Sequence, residues 1–122
     1  MPLLPTDATE RKKLPIGTGV LKYFPLALAE VAKASVAGNK QHLDGQPLHW
    51  DRSKSTDDFD AMIRHAIQID DPDEGGDSHV GAMMWRALAV GEKLLESRLN
   101  KRSSVERHSQ ECSCPSCMAV ET

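Results

Sequence analysis

No apolar run in this chain approaches the length of about eighteen residues that a membrane helix needs, so the sequence offers no membrane span. Positive charge is not in excess either. Fifteen Lys and Arg stand against eighteen Asp and Glu, for a net charge of −3. That balance excludes a basic protein built to coat nucleic acid directly. Cysteine is scarce and badly placed to staple a core: the three cysteines all fall within Cys112–Cys117. The first thirteen residues lack the basic-then-apolar order of a signal peptide. These features together predict a cytoplasmic protein. No alternating pattern long enough for a strand is present. Gly17-x-Gly19 is not a phosphate loop, because no Gly-Lys-Ser/Thr follows it.

What is present reads as helix. A chain of 122 residues is one domain with a tail. We divide it into a flexible lead over 1–13, a helical domain over 14–100 and a polar tail over 101–122. The first main helix opens at Pro25, a residue favoured at the first helical position. It stops at Gly38-Asn39, a C-terminal cap signal. It is apolar nearly all round and should be buried. Glu30 and Lys33 are its only charges. Glu30 has two readings, an ion pair with Lys33 one turn away or a metal ligand in the core.

The second helix starts at Ser55 or Thr56, with Asp57 and Asp58 in its first turn. Phe59, Met62, Ile63, Ala66 and Ile67 form its apolar stripe. Asp60 and Arg64 are spaced to pair, and His65 flanks the stripe. Asp57-x-x-Asp60 puts two carboxylates on one helical face, half of a magnesium site. The third helix spans about Ser78 to Leu99. Its stripe is Val80, Met83, Met84, Ala87, Leu88, Gly91, Leu94 and Leu95, and the methionines read as core filling. His79 and Arg86 share one face with Ala82 between them.

Two connections carry unusual composition. The acidic linker over 70–77 holds five acids in eight residues. It fails as an EF-hand, because Ala82 stands where a bidentate Glu is required. It reads as a solvated turn leading into the next helix. The connection between Asn39 and Lys54 is longer than chain reversal requires. It carries His42, Gln46, His49, Trp50, Arg52 and Lys54, a set of imidazole, amide, indole and cationic groups suited to a phosphate and a base. The tail contains His108, Cys112, Cys114 and Cys117. These form either a structural Zn²⁺ ligand set or a redox-exposed tail.

The expected fold is therefore all-α, a small helical domain of three main helices. Three helices of this size would struggle to cover the first one, so completion by homodimerisation or a higher homo-oligomer is expected.

Five stretches also carry a resemblance: K-x-x-P-I-x-T-G-V-L-x-Y-F-P, V-A-K-A-S-x-A-G-N-x-Q-H, G-Q-P-L-H-W-D-R-x-K-S, the R-H pair at 64–65, and H-x-x-x-x-x-W-R-A-L-A from His79. In this order, over about Leu14 to Glu96, they resemble phage-associated proteins similar to the N-terminal domain of dATP/dGTP diphosphohydrolases. That family is in turn similar to all-α MazG-like nucleotide pyrophosphohydrolases. The resemblance implies hydrolysis of dGTP or dATP to monophosphate and pyrophosphate with Mg²⁺ or Mn²⁺, in a host-cell cytoplasm if the chain is phage-encoded. It implies Asp60, Glu30 and His65 as catalytic candidates, and Glu30, Asp57, Asp60 and Asp77 as metal candidates. His42, Gln46, His49, Trp50, Arg52, Lys54, Arg64, His79 and Arg86 are the substrate-binding candidates. MazG-like enzymes place an E-E-x-x-E cluster on the first core helix, where this chain has Glu30 alone. Two alternatives therefore stand beside the enzyme: a non-catalytic phage protein that sequesters a nucleotide or nucleotide-derived signal, and a protein-interaction module.

Overall fold

A computed structural model describes the backbone of residues 3–43, 45–73 and 78–111, and the side chains of residues 3–39, 45–73 and 78–102. Every regular element among these residues is helical, so the domain is all-α: α1 (Ala8–Lys12), α2 (Ile16–Gly19), α3 (Pro25–Leu43), α4 (Asp58–Ile67) and α5 (His79–Glu111). Short 3₁₀ turns lie at Leu21–Tyr23 and Arg52–Lys54. No helix among the described residues is long and apolar enough to cross a membrane. The chain divides into two compact units, Met1–Val90 and Gly91–Thr122. The division falls inside α5, ten residues before the boundary expected from composition.

The first thirteen residues are more structured than their composition suggests. The Asp7 carboxylate accepts the Glu10 backbone N–H at 3.1 Å and caps α1. Lys13 pairs with Glu10 at 2.9 Å, one turn away. Helix α3 opens at Pro25 as the sequence predicts, but it does not stop at Gly38-Asn39. It continues to Leu43. The Asn39 side chain does not cap it. Asn39 Nδ2 donates to the Gln46 carbonyl at 3.4 Å, and Asn39 Oδ1 accepts the His49 backbone N–H at 3.3 Å. That side chain fastens the following connection, and Gly45, at φ 80°, supplies the left-handed residue of its turn. Helix α5 likewise overruns its expected end at Leu99 and runs to Glu111. No Gly or Pro interrupts it after Gly91.

The expected burial pattern is wrong in a systematic way. Helix α3 is not buried all round: Leu26 is 84% exposed and Val36 is exposed. Its inward stripe is Ala27, Glu30, Val31, Ala34 and Gly38, of which Ala34 is buried and the others half-buried. On α4 the apolar stripe faces outward except at Met62. Phe59, Ile63, Ala66 and Ile67 are exposed, while Asp58, Ala61, Met62 and His65 turn inward. On α5 Val80, Ala87 and Leu88 are exposed, and His79, Ala82 and Ala89 are buried. The physical reason is shared by the three helices. Small residues let backbones approach closely, and the polar groups beside them find partners across that short gap. Gly81 is the extreme case. A Cβ there would sit 2.7 Å from the Glu30 carbonyl oxygen. Only glycine permits so close an approach of α5 to α3.

Candidate functional site

Polar side chains link α3, α4 and α5 within the first unit. Asp58, the first residue of α4, is buried. Its Oδ1 accepts from the Ser55 hydroxyl at 2.6 Å and from Arg86 Nη1 at 2.6 Å. Arg86 Nη1 also donates to Ser55 Oγ. This triangle joins the end of the connection between α3 and α4 to α5. A carboxylate and guanidinium this close make a charge-assisted pair, and the hydroxyl satisfies a further acceptor site. Ser55 is thus not the helix cap. The sequence predicts α4 from Ser55 or Thr56, whereas the N-cap position is Asp57 and Ser55 serves the ion pair.

An aromatic wall adjoins that triangle. The Trp50 and Trp85 rings meet edge to face, centroids 5.5 Å apart at 82°. The Arg52 guanidinium lies 4.4 Å over the Trp50 ring, and Arg86 lies 5.6 Å from Trp85. Asp51 fixes the start of the 3₁₀ turn that carries Arg52. Its Oδ1 accepts from the Ser53 hydroxyl at 2.6 Å and the Ser53 backbone N–H at 3.1 Å. Those two bonds, the hydroxyl first, hold the Asp51 carboxyl below the usual carboxylate range.

A second polar group sits where α5 begins. His79 is buried, and its Nδ1 lies 3.1 Å from His65 Nδ1. His79 Nε2 lies 3.0 Å from the Pro72 carbonyl. The His79 backbone N–H donates to Asp73 Oδ1 at 3.1 Å. One residue earlier, the Ser78 hydroxyl donates to Glu30 Oε2 at 2.8 Å. Glu30 also pairs with Lys33 at 3.0 Å. The Lys33 ammonium and then the Ser78 hydroxyl hold the Glu30 carboxyl below its ordinary value. The ion-pair reading of Glu30 is present in the structure, with Ser78 as an additional donor that spacing within α3 could not reveal.

The predicted residues therefore separate into two sets. Trp50, Arg52, Arg86, His65, His79 and Glu30 all take part in contacts that tie one segment of the unit to another, or flank such a contact. Gln46, His49 and Lys54 lie exposed on the connection. Asp57 at the N-cap of α4 and Asp60 and Arg64 on it lie exposed, and the expected Asp60–Arg64 pair does not form among the described residues. The side chains of His42 and His108, and residues Asp77, Cys112, Cys114 and Cys117, lie outside the described residues. No three His, Cys, Asp or Glu side chains converge among the described residues in a way that could hold a metal ion. Glu30, Asp57 and Asp60 thus do not by themselves fit a divalent cation. Sequence reasoning missed Asp58, Ser55, Ser78 and Asp73 as connecting residues. Ser55-x-x-Asp58 has capping-box spacing, a visible signal, but its use for an arginine on another helix has no local signature.

No family model matches the chain, and no curated protein or solved structure does either.

Proposed function

We propose that the first unit binds a purine nucleotide against the Trp50–Trp85 wall, and that the reaction is hydrolysis of dGTP or dATP to monophosphate and pyrophosphate. The observation that carries the reading is the Arg52 guanidinium 4.4 Å over the Trp50 ring, edge to face with Trp85. Aromatic faces stack bases, and arginine forks take phosphate oxygens. Arg52 is exposed, and an exposed cation–π contact is worth only about 0.5–1 kcal/mol. A base can therefore replace it on the ring while the guanidinium turns to a phosphate. His49 and Lys54, exposed on the same connection, add an edge reader and a further cation.

Mg²⁺ or Mn²⁺ belongs to this proposal because the sequence resemblance implies it. Asp77, one of the implied ligands, directly precedes Ser78, whose hydroxyl is bonded to Glu30. The proposed chain acts as a homodimer or higher homo-oligomer in the cytoplasm. Support for self-association comes from the exposed Phe59, Ile63 and Ile67 face of α4. Exposed apolar faces of this kind mark interaction sites.

The test is incubation of pure protein with each dNTP and NTP, with Mg²⁺, Mn²⁺ or EDTA, read by chromatography. Metal-dependent monophosphate and pyrophosphate from dGTP or dATP are expected. A second reading, sequestration without cleavage, is favoured by one observation: the buried carboxylate of α4, Asp58, is engaged with Arg86 and Ser55. Intact nucleotide retained in EDTA would establish it. No product and no retention would leave a protein-interaction module.

A further inference from the structure

We infer that two copies of this chain pair through α4, antiparallel about a two-fold axis, with Asp60 of each copy against the partner's Arg64. The inference rests on the self-association in the proposed function, and it names the surface, direction and register of that association.

Helix α4 has two opposite faces. Asp58, Ala61 and His65 turn into the unit, and Phe59, Ile63, Ala66 and Ile67 turn away from it. Phe59 is 59% exposed and Ile67 78%. At about 100° of turn per residue, the four outward residues fill a sector of about 100°, the width of a stripe that a helix ordinarily buries. Apolar attraction has no direction, so the stripe alone does not say what covers it. Its charged border does.

Asp60 and Arg64 are exposed along one edge of the stripe. The other edge carries the half-buried Met62. No ion pair joins Asp60 to Arg64, or either of them to another group, among the described residues. Along the helix axis they stand about 3 Å on either side of the level of Met62. A two-fold axis at that level turns a second α4 end for end and keeps its charged edge on the same side. Asp60 then lies level with the partner's Arg64, and the ion pair forms twice. A parallel second copy would set acid against acid and base against base. The same register drops Phe59 between the partner's Ile63 and the partner's Ile67, so that ridges enter grooves. It also brings the positive end of each helix beside the negative end of the other.

The surface is therefore its own complement, which is what an interface between identical copies requires. Apolar contact supplies the attraction, and the matched charges fix direction and register. The acids of α4 divide between two tasks. Asp58 faces inward to Arg86, and Asp60 faces outward to the second copy.

The test is sedimentation equilibrium of the full chain. Wild type should reach twice the 13.4 kDa of one chain. Asp60→Arg and Arg64→Asp each set like charges together at both contacts. Each should raise the dimer Kd about tenfold or more, and added salt should narrow the difference from wild type. The double variant D60R/R64D restores both pairs with their signs exchanged, and its Kd should return to within about threefold of wild type. An equimolar mixture of the two single variants should form a mixed dimer more tightly than either variant alone. One chain then carries two bases on the edge and the other two acids.

A dimer that both single reversals leave unchanged overturns the pairing and assigns the contact to another surface, such as the exposed Leu14, Ile16, Val20 and Leu21. A double variant as weak as the single ones also overturns it, because the effect is then damage to the helix and not charge. A monomeric wild type overturns the pairing together with the self-association it rests on. None of these masses needs a nucleotide, so they decide the pairing whether or not wild type hydrolyses dGTP.

Discussion

Arg86 on α5 and Asp58 at the start of α4 are joined at 2.6 Å, with Asp58 almost fully covered and Arg86 partly so. Removing one partner leaves a buried charge that has lost its counter-charge. For a buried pair such loss costs about 3–5 kcal/mol, and Arg86's partial exposure lowers that to about 2–3 kcal/mol. Arg86→Ala should therefore destabilise the unit by about 2–3 kcal/mol in denaturant unfolding. Ser55→Ala should cost about 2 kcal/mol, because its hydroxyl both donates to Asp58 and accepts from Arg86. Equal stability of wild type and Arg86→Ala would show that the pair contributes nothing net.

Gly81 lies where α5 comes closest to α3. A methyl group at 2.7 Å from the Glu30 carbonyl must push backbone. Gly81→Ala would raise helix propensity by about 1 kcal/mol at an unconstrained site. Here we expect a lower melting temperature instead, accompanied by loss of the Ser78–Glu30 bond. A variant that melts higher than wild type would mean that the helices stand further apart than described.

Glu30 gives a pH dependence of definite sign. Its folded-state pKa lies below the ordinary 4.5 because Lys33 and then Ser78 stabilise the carboxylate. The stability this contributes is complete above that ordinary value and drains as pH falls through the lowered one. The stability difference between wild type and Glu30→Gln should therefore shrink on going from neutral pH to about pH 3. Ser78→Ala should reproduce part of the effect. A difference that stays constant with pH would separate Glu30 from acid denaturation.

Trp50 and Trp85 are the two tryptophans of the chain, so fluorescence reports directly on the proposed nucleotide wall. Stacking on an aromatic residue is worth about 1–3 kcal/mol per base. Trp50→Ala should weaken dGTP binding by about tenfold or more. Arg52→Ala should weaken it in a salt-dependent manner. Binding that is indifferent to both variants would move the nucleotide elsewhere.

The α4 face of Phe59, Ile63 and Ile67 supplies the test of self-association. Light scattering should give a mass at least twice the 13.4 kDa of one chain. Ile63→Glu should reduce that mass, since a charge in an apolar interface goes unpaired. A wild-type protein that runs as a monomer would end the proposal.

The sequence by itself determined that this domain is helical and where two of its main helices begin. Pro25 opens α3, and α5 starts at His79, within a residue of the predicted Ser78. Helical periodicity and N-terminal signals are local, so they can be read along the chain. The sequence also singled out Trp50, Arg52, His79 and Arg86, since such groups are conspicuous in a connection or on a helix face. The tertiary structure alone decided which faces turn inward. The apolar stripe of α4 points out because Asp58 finds Arg86 and His65 finds His79. It decided that Asn39 fastens a connection instead of ending a helix. It also decided that Asp57 and Asp60 lie exposed while Glu30 is bonded to Ser78. Those outcomes depend on partners 7 to 48 residues distant, and no local pattern encodes a partner that far along the chain.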